Sequence, residues 1–169
     1  MSNNKNMFPP RMEAIKNYVS NTDKDTMFGD CRTDWQALKM TSNLHNEDRD
    51  CSVKALVVTT GKTYTECHTQ LAALGRKPRT GSSMPCIVHA AKLLGWNMHP
   101  MDSLLANIKY RKGSGVTAKS APNWLPNNRI FMLEFKNHVA GFYKGRVIDW
   151  TMTRNHRVTR IWELNEYEI

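Results

Sequence analysis

The sequence predicts an α+β fold, with N-terminal helices packed on a C-terminal antiparallel sheet. Helical patterning dominates as far as Gly95, whereas short β-type segments with tight turn residues dominate from Arg129 onward. Between them in weight stands the run Cys-Ser-Val-Lys-Ala-Leu-Val-Val-Thr-Thr over 51–60, apolar on nearly all sides except Lys54, the mark of a helix buried at the centre of a domain. The chain has 169 residues, 40 % of them apolar, which suits one globular unit with its own core and excludes a disordered chain. No apolar run is long enough to span a bilayer, and the opening residues 1–7 are polar, without an apolar signal segment. A cytoplasmic protein with no membrane partner is therefore expected, with Cys31, Cys51, Cys67 and Cys86 as thiols.

The elements follow in order. Pro9-Pro10 precede a helix expected over Arg11–Ser20, with Met12, Ile15 and Val19 at helical spacing, and Asn21-Thr22-Asp23 is expected to end it. Trp35, Leu38 and Met40 are expected to pack as an arm or short helix, which makes 1–47 an N-terminal helix and arm and 48–169 the main domain. Asp48 and Asp50 are possible N-caps for the helix over 51–60, and Gly61 is its stop. Helices are expected over 65–74, stopped by Gly75, and over 84–94, stopped by Gly95. Strands are expected over 129–135, 138–143 and 146–150, the last two joined at Lys144-Gly145, and a fourth over 158–162.

Chemistry enters through three of these residues. A two-residue loop at Lys144-Gly145 sets Tyr143 opposite Arg146 and Ala140 opposite Asp149, so alternation puts His138 diagonal to Asp149 on one face. A carboxylate there would orient the imidazole and favour its protonated form. Cys51, at a helix start, would have its thiol acidified by the positive end of the helix and by a nearby imidazolium. Its backbone N–H would face a developing oxyanion, and Asn46, with His45 behind it, is the candidate second donor. Cys51, His138 and Asp149 are thus the candidate catalytic residues. Cys86, after Pro85 at another helix start, is the rival nucleophile, without an acidic cap. Cys67, His68, Cys86 and His89 are zinc-type ligands, but adjacent Cys-His followed by Cys-x-x-His fits no common zinc ribbon or finger. Neither a metal nor a cofactor is expected, and Gly113-Ser114-Gly115 reads as a connector more than a phosphate cradle.

The net charge of +9 is unevenly placed. Over residues 76–119 stand Arg76, Lys77, Arg79, Lys92, Lys109, Arg111, Lys112 and Lys119 against the single acid Asp102. Arg76, Lys77 and Arg79, in the turn-rich loop 75–81, are the candidate anion-binding residues, for nucleic acid, a phosphorylated ligand or an acidic protein surface, against the alternative of a solvated basic face.

Several stretches carry a resemblance. They are Asp50-Cys51-Ser52-Val53-Lys54-Ala55-Leu56, Thr60-Gly61-Lys62-Thr63-Tyr64, Leu74-Gly75-Arg76-Lys77-Pro78-Arg79-Thr80-Gly81, Gly113-Ser114-Gly115, Leu125-Pro126-Asn127-Asn128-Arg129, His138-Val139-Ala140-Gly141 and Gly145-Arg146-Val147-Ile148-Asp149. Across roughly 48–151 the chain resembles small proteins of phages and bacterial mobile elements, whose pattern is similar to papain-fold cysteine peptidases, including the bacteriocin-leader peptidases. The resemblance implies a papain-like fold, a peptide or protein substrate in a host cytoplasm, Cys51 as nucleophile, His138 as general base and acid, and Asp149 as its orienter. Bacteriocin-leader peptidases usually carry a Gln shortly before the cysteine; none lies just before Cys51. That departure and the charge keep open a non-catalytic papain-fold module that engages a host protein or nucleic acid through its basic loops.

Overall fold

One antiparallel sheet carries helices on both of its faces. The structure, a computed structural model, describes residues 20–167. The helix expected over Arg11–Ser20, with Met12, Ile15 and Val19, lies outside the described residues but for Ser20. That serine instead opens a helix, α1 (Asn21–Thr26), by accepting from the backbone N–H of Asp23 at 3.2 Å. Asn21, Thr22 and Asp23 thus lie within a helix, since Ser, Asn and Asp start helices as readily as they terminate them, and the end of the helix expected before them lies outside the described residues. The arm around Trp35 is a full helix, α2 (Trp35–Leu44), capped by the Asp34 carboxylate and burying Leu38 and Leu44.

Helix α3 (Cys51–Thr60) has the bounds its sequence predicts, ended by Gly61 in the left-handed conformation at φ 70°. Val53, Leu56 and Val58 are fully buried, and the buried Thr59 and Thr60 hydroxyls donate back to the carbonyls of Ala55 and Leu56. Helix α4 (Tyr64–Ala73) opens with a reciprocal capping box between Thr63 and Glu66. Helix α5 (Met84–Leu93) is capped by Ser83. Strand β1 (Trp96–Pro100) and helix α6 (Asp102–Lys112) were not expected; the first is a short edge strand ending in proline, and the second buries only Leu105 and Ile108 on a largely polar helix. A short α7 (Ala121–Trp124) leads into β2 (Ile130–Phe135), β3 (His138–Tyr143), β4 (Arg146–Ile148) and β5 (Arg160–Glu166).

The five strands lie in the order β1-β5-β2-β3-β4, with every paired neighbour antiparallel. The last strand in the chain thus inserts between β1 and β2. Period-two alternation divides the core. Met98, Met132, Val139, Ile148 and Trp162 pack with α3 and α5, whereas Phe131, Leu133, Ala140, Phe142 and Val147 pack with Leu105, Ile108 and Ala121 of α6 and α7. Close approach of α3 to β3 requires Gly141: a Cβ there would sit 2.5 Å from Val58 Cβ. The β3–β4 turn has Lys144 at φ 50° and Gly145 at φ 76°, both positive as a type I′ hairpin requires. Its register, Tyr143 with Arg146 and Gly141 with Ile148, is the one the sequence implies. Among the described residues no helix is long and apolar enough to cross a membrane.

Candidate active site

The site lies where the start of α3 meets the open end of the β3–β4 hairpin. His138 is the first residue of β3, and Asp149 follows the last residue of β4. With no bulge in the hairpin, the diagonal relation predicted from alternation holds, and His138 Nε2 donates to Asp149 Oδ2 at 2.7 Å. The same carboxylate oxygen accepts from the Thr151 hydroxyl at 2.6 Å and from the Thr151 backbone N–H at 3.2 Å. Asp149 is buried and held from both sides, so its bond fixes the ring. Trp150 packs its ring 5.3 Å from that of His138, centroid to centroid, and meets the His156 ring nearly at right angles, at 5.0 Å.

Cys51 reaches this pair from the other face of the sheet, carried by the packing of α3 on β3. The Asp149 bond occupies Nε2, which leaves Nδ1 of His138 for the sulfur. Burial alone would raise the Cys51 thiol, but hydrogen bonding from His138 and from the Val139 backbone N–H, with the charge of the ring, brings it below its usual value. Burial likewise works against a charged His138, yet its bonds to Asp149 and Cys51 and the negative charge of both raise it to about 9. Both shifts favour a thiolate beside an imidazolium.

Asp50 occupies the N-cap position without capping. Its side chain turns inward, accepting from the Ser42 hydroxyl at 2.7 Å and the Tyr64 hydroxyl at 2.5 Å, and pairs with Lys54 at 2.9 Å. Burial opposes its ionisation, but the Lys54 charge and these donors outweigh it and lower its pKa. The first N–H groups of α3 consequently receive no side-chain cap from Asp50. This corrects the expectation of Asp50 as a hydrogen-bonding cap.

Two clefts meet at Cys51, His138, Gly81 and Asn137. One, of about 510 Å³, runs between the start of α5 and the end of β2, past Ser83, Met84 and Glu134. The other, of about 370 Å³, runs past Arg49, Lys54 and Trp150. Asn137, at φ 57° in the β2–β3 turn, belongs to both walls. An extended chain laid across Cys51 would have room on either side of it.

The remaining sequence candidates are placed elsewhere. Asn46, the expected oxyanion donor, lines neither cleft; its Oδ1 accepts from Arg79 Nη2 at 2.8 Å. Arg76 is not free for an anion. It is buried and paired with buried Glu47 at 2.6 Å, a contact that ties the loop 75–81 to the turn between α2 and α3. The Arg79 backbone N–H also donates to Glu47, and its guanidinium is engaged with Asn46; Lys77 stays exposed. Cys67 is fully buried and its thiol is pushed up to about 12 by that burial. Cys86 is half-buried in the first turn of α5, outside both clefts. Gly113 ends α6, and the Lys112 ammonium donates to the Gly115 carbonyl and the Ser120 hydroxyl, a structural role for that basic loop. Sequence reasoning did not single out Asn137, the Gly81–Met84 stretch or Glu134. None carries a motif, and only a hairpin turn closing over a helix start brings them to the cleft. Searches of protein-family models, curated proteins and solved structures return no match to the chain.

Proposed function

We propose that the protein is a papain-like cysteine hydrolase acting on an amide, isopeptide or thioester carbonyl in a peptide or protein. The observation that carries the reading is the meeting of Cys51, at the uncapped start of α3, with a His138 ring held by buried Asp149. The order of parts, a cysteine helix followed by an antiparallel sheet bearing histidine and then aspartate, supports the papain-like assignment. The Cys51 thiolate attacks the carbonyl carbon, and the oxyanion forms opposite the Cys51 backbone N–H. As the tetrahedral intermediate collapses, the imidazolium of His138 gives its proton to the leaving nitrogen or sulfur. Water then attacks the acyl-thioester, with His138 taking one proton from it, and collapse returns the thiolate and a carboxylic acid. Asp149 keeps Nδ1 facing the sulfur throughout.

Limiting iodoacetamide followed by peptide mapping tests this directly. Cys51 is expected to label faster than Cys86 at neutral pH, while Cys67 labels only after unfolding. Replacement of Cys51 by Ala should remove the fast phase. Equal rates at Cys51 and Cys86 would exclude an activated thiol.

A further inference from the structure

We infer that the larger cleft, on the α5 side of Cys51, binds a basic side chain, Lys or Arg, and that Glu134 selects it. This rests on the hydrolase reading and names the class of substrate that the site takes. Apart from the His138 ring, Glu134 is the one ionisable carboxylate or base along that cleft; neither Lys nor Arg lines it. Alternation along β2 puts Glu134 on the side of Ile130 and Met132, the face covered by α3 and α5. Trp162 Nε1 donates to its Oε2 at 3.0 Å, which fixes the direction of the carboxylate. None of the ion pairs among the described residues includes Glu134. Its partner in register on β5, Arg160, gives its hydrogen bonds to Asp102, at 3.2 and 3.4 Å, and is attracted to Glu134 only more weakly and without a direct ion pair.

A half-buried carboxylate without an ion-pair partner therefore borders a concave space whose other walls include Met84, Phe135 and Val139. That combination suits a long aliphatic stem ending in a cation: the stem lies along apolar surface and the head meets the carboxylate. An acidic side chain in the same place would face like charge in a partly desolvated setting. The carboxylates of the second cleft, Asp50 and Asp149, are both already paired, with Lys54 and His138, so of the two arms of the groove only the larger offers a bound chain a carboxylate without an ion-pair partner.

Peptidyl acyloxymethyl ketones that differ only in carrying Lys, norleucine or Glu at the first or second residue from the reactive ketone would test this on the full chain. The readout is the rate of Cys51 modification by mass spectrometry, with iodoacetamide as a small neutral control. At one of the two positions the Lys reagent should react about tenfold faster than its norleucine counterpart, and the Glu reagent slowest. Glu134→Gln should bring the Lys-to-norleucine ratio to about one, and Glu134→Lys should make the Glu reagent the fastest. Because each ratio is taken within one protein, a general loss of reactivity does not mimic the effect. Equal Lys and norleucine rates at both positions, or a Lys preference that survives Glu134→Gln, would overturn the inference and leave the nucleophile assignment standing. Modification of Cys51 no faster than Cys86 by every reagent, iodoacetamide included, would instead defeat the nucleophile assignment and the inference with it.

Discussion

Replacing Asp149 with Asn should narrow the pH range over which Cys51 and His138 are both charged. The ring's rise from its ordinary 6.5 to about 9 is held against burial by Asp149 and Cys51. At 1.36 kcal/mol per pH unit it amounts to about 3 kcal/mol in favour of the imidazolium. The raised value means that this group's contribution is complete below about 6.5 and fades as pH climbs through about 9. Cys51 moves the other way: its lowered value means a contribution present above the ordinary 9.0 and lost as pH falls through the lowered value. Between those limits the pair is thiolate and imidazolium. An amide at position 149 keeps the shape but not the charge, and the lost part of a charge-assisted bond is worth about 1.5–3 kcal/mol. The alkaline limit should therefore drop by about one to two pH units. The acid limit should move less, because the Asp149 charge itself raises the Cys51 thiol somewhat, and its removal offsets part of the weakened imidazolium. Iodoacetamide rates at Cys51, measured from about pH 5 to about pH 10 in both proteins, report the two limits. The reasoning is refuted if native Cys51 titrates as one ordinary thiol near 9.0, or if Asp149→Asn leaves the profile where it was.

Two further outcomes follow from packing. Gly141→Ala puts a methyl 2.5 Å from Val58 Cβ and 2.6 Å from its Cγ1, which should cost about 1–3 kcal/mol in a urea titration and slow Cys51 labelling as α3 is forced off β3; native stability in this variant would show that the helix does not press on the strand. Arg76→Ala removes the 2.6 Å partner of the buried Glu47 carboxylate but leaves it His68 at 3.4 Å and the Arg79 backbone N–H, and should lower stability by less than the about 3–5 kcal/mol of a wholly unpaired buried charge. Retention on a heparin column should change less for that variant than for Lys77→Ala, whose side chain is exposed, and the reverse order would return Arg76 to the anion-binding surface.

Much of the site was legible because its parts are local. Helix α3 announces itself by an apolar run closed by Gly61, and the hairpin by Lys144-Gly145, whose type I′ geometry leaves no freedom of register. From that register alone, His138 and Asp149 become diagonal neighbours. Other features left no such mark. Strand β1 alternates too briefly and ends in Pro100, and α6 is polar around most of its circumference, so neither shows a strong period. The roles of Asp50 and Arg76 were misjudged from sequence because a carboxylate before a helix and an arginine in a turn-rich loop are ordinarily exposed. Here each is buried against partners distant in sequence, Tyr64 for one and Glu47 for the other.

The sequence by itself determined the α+β class, the helix that begins at Cys51 and the His138–Asp149 pairing, since periodicity, stop residues and turn chemistry act over a few residues at a time. Only the tertiary structure decided that the thiol meets the imidazole, that Asp50 turns away from the helix start it precedes, and that Glu134 borders the cleft. Those outcomes depend on how closely α3 settles on β3 over Gly141 and on which charges burial forces into pairs, quantities set by the packing of the whole chain.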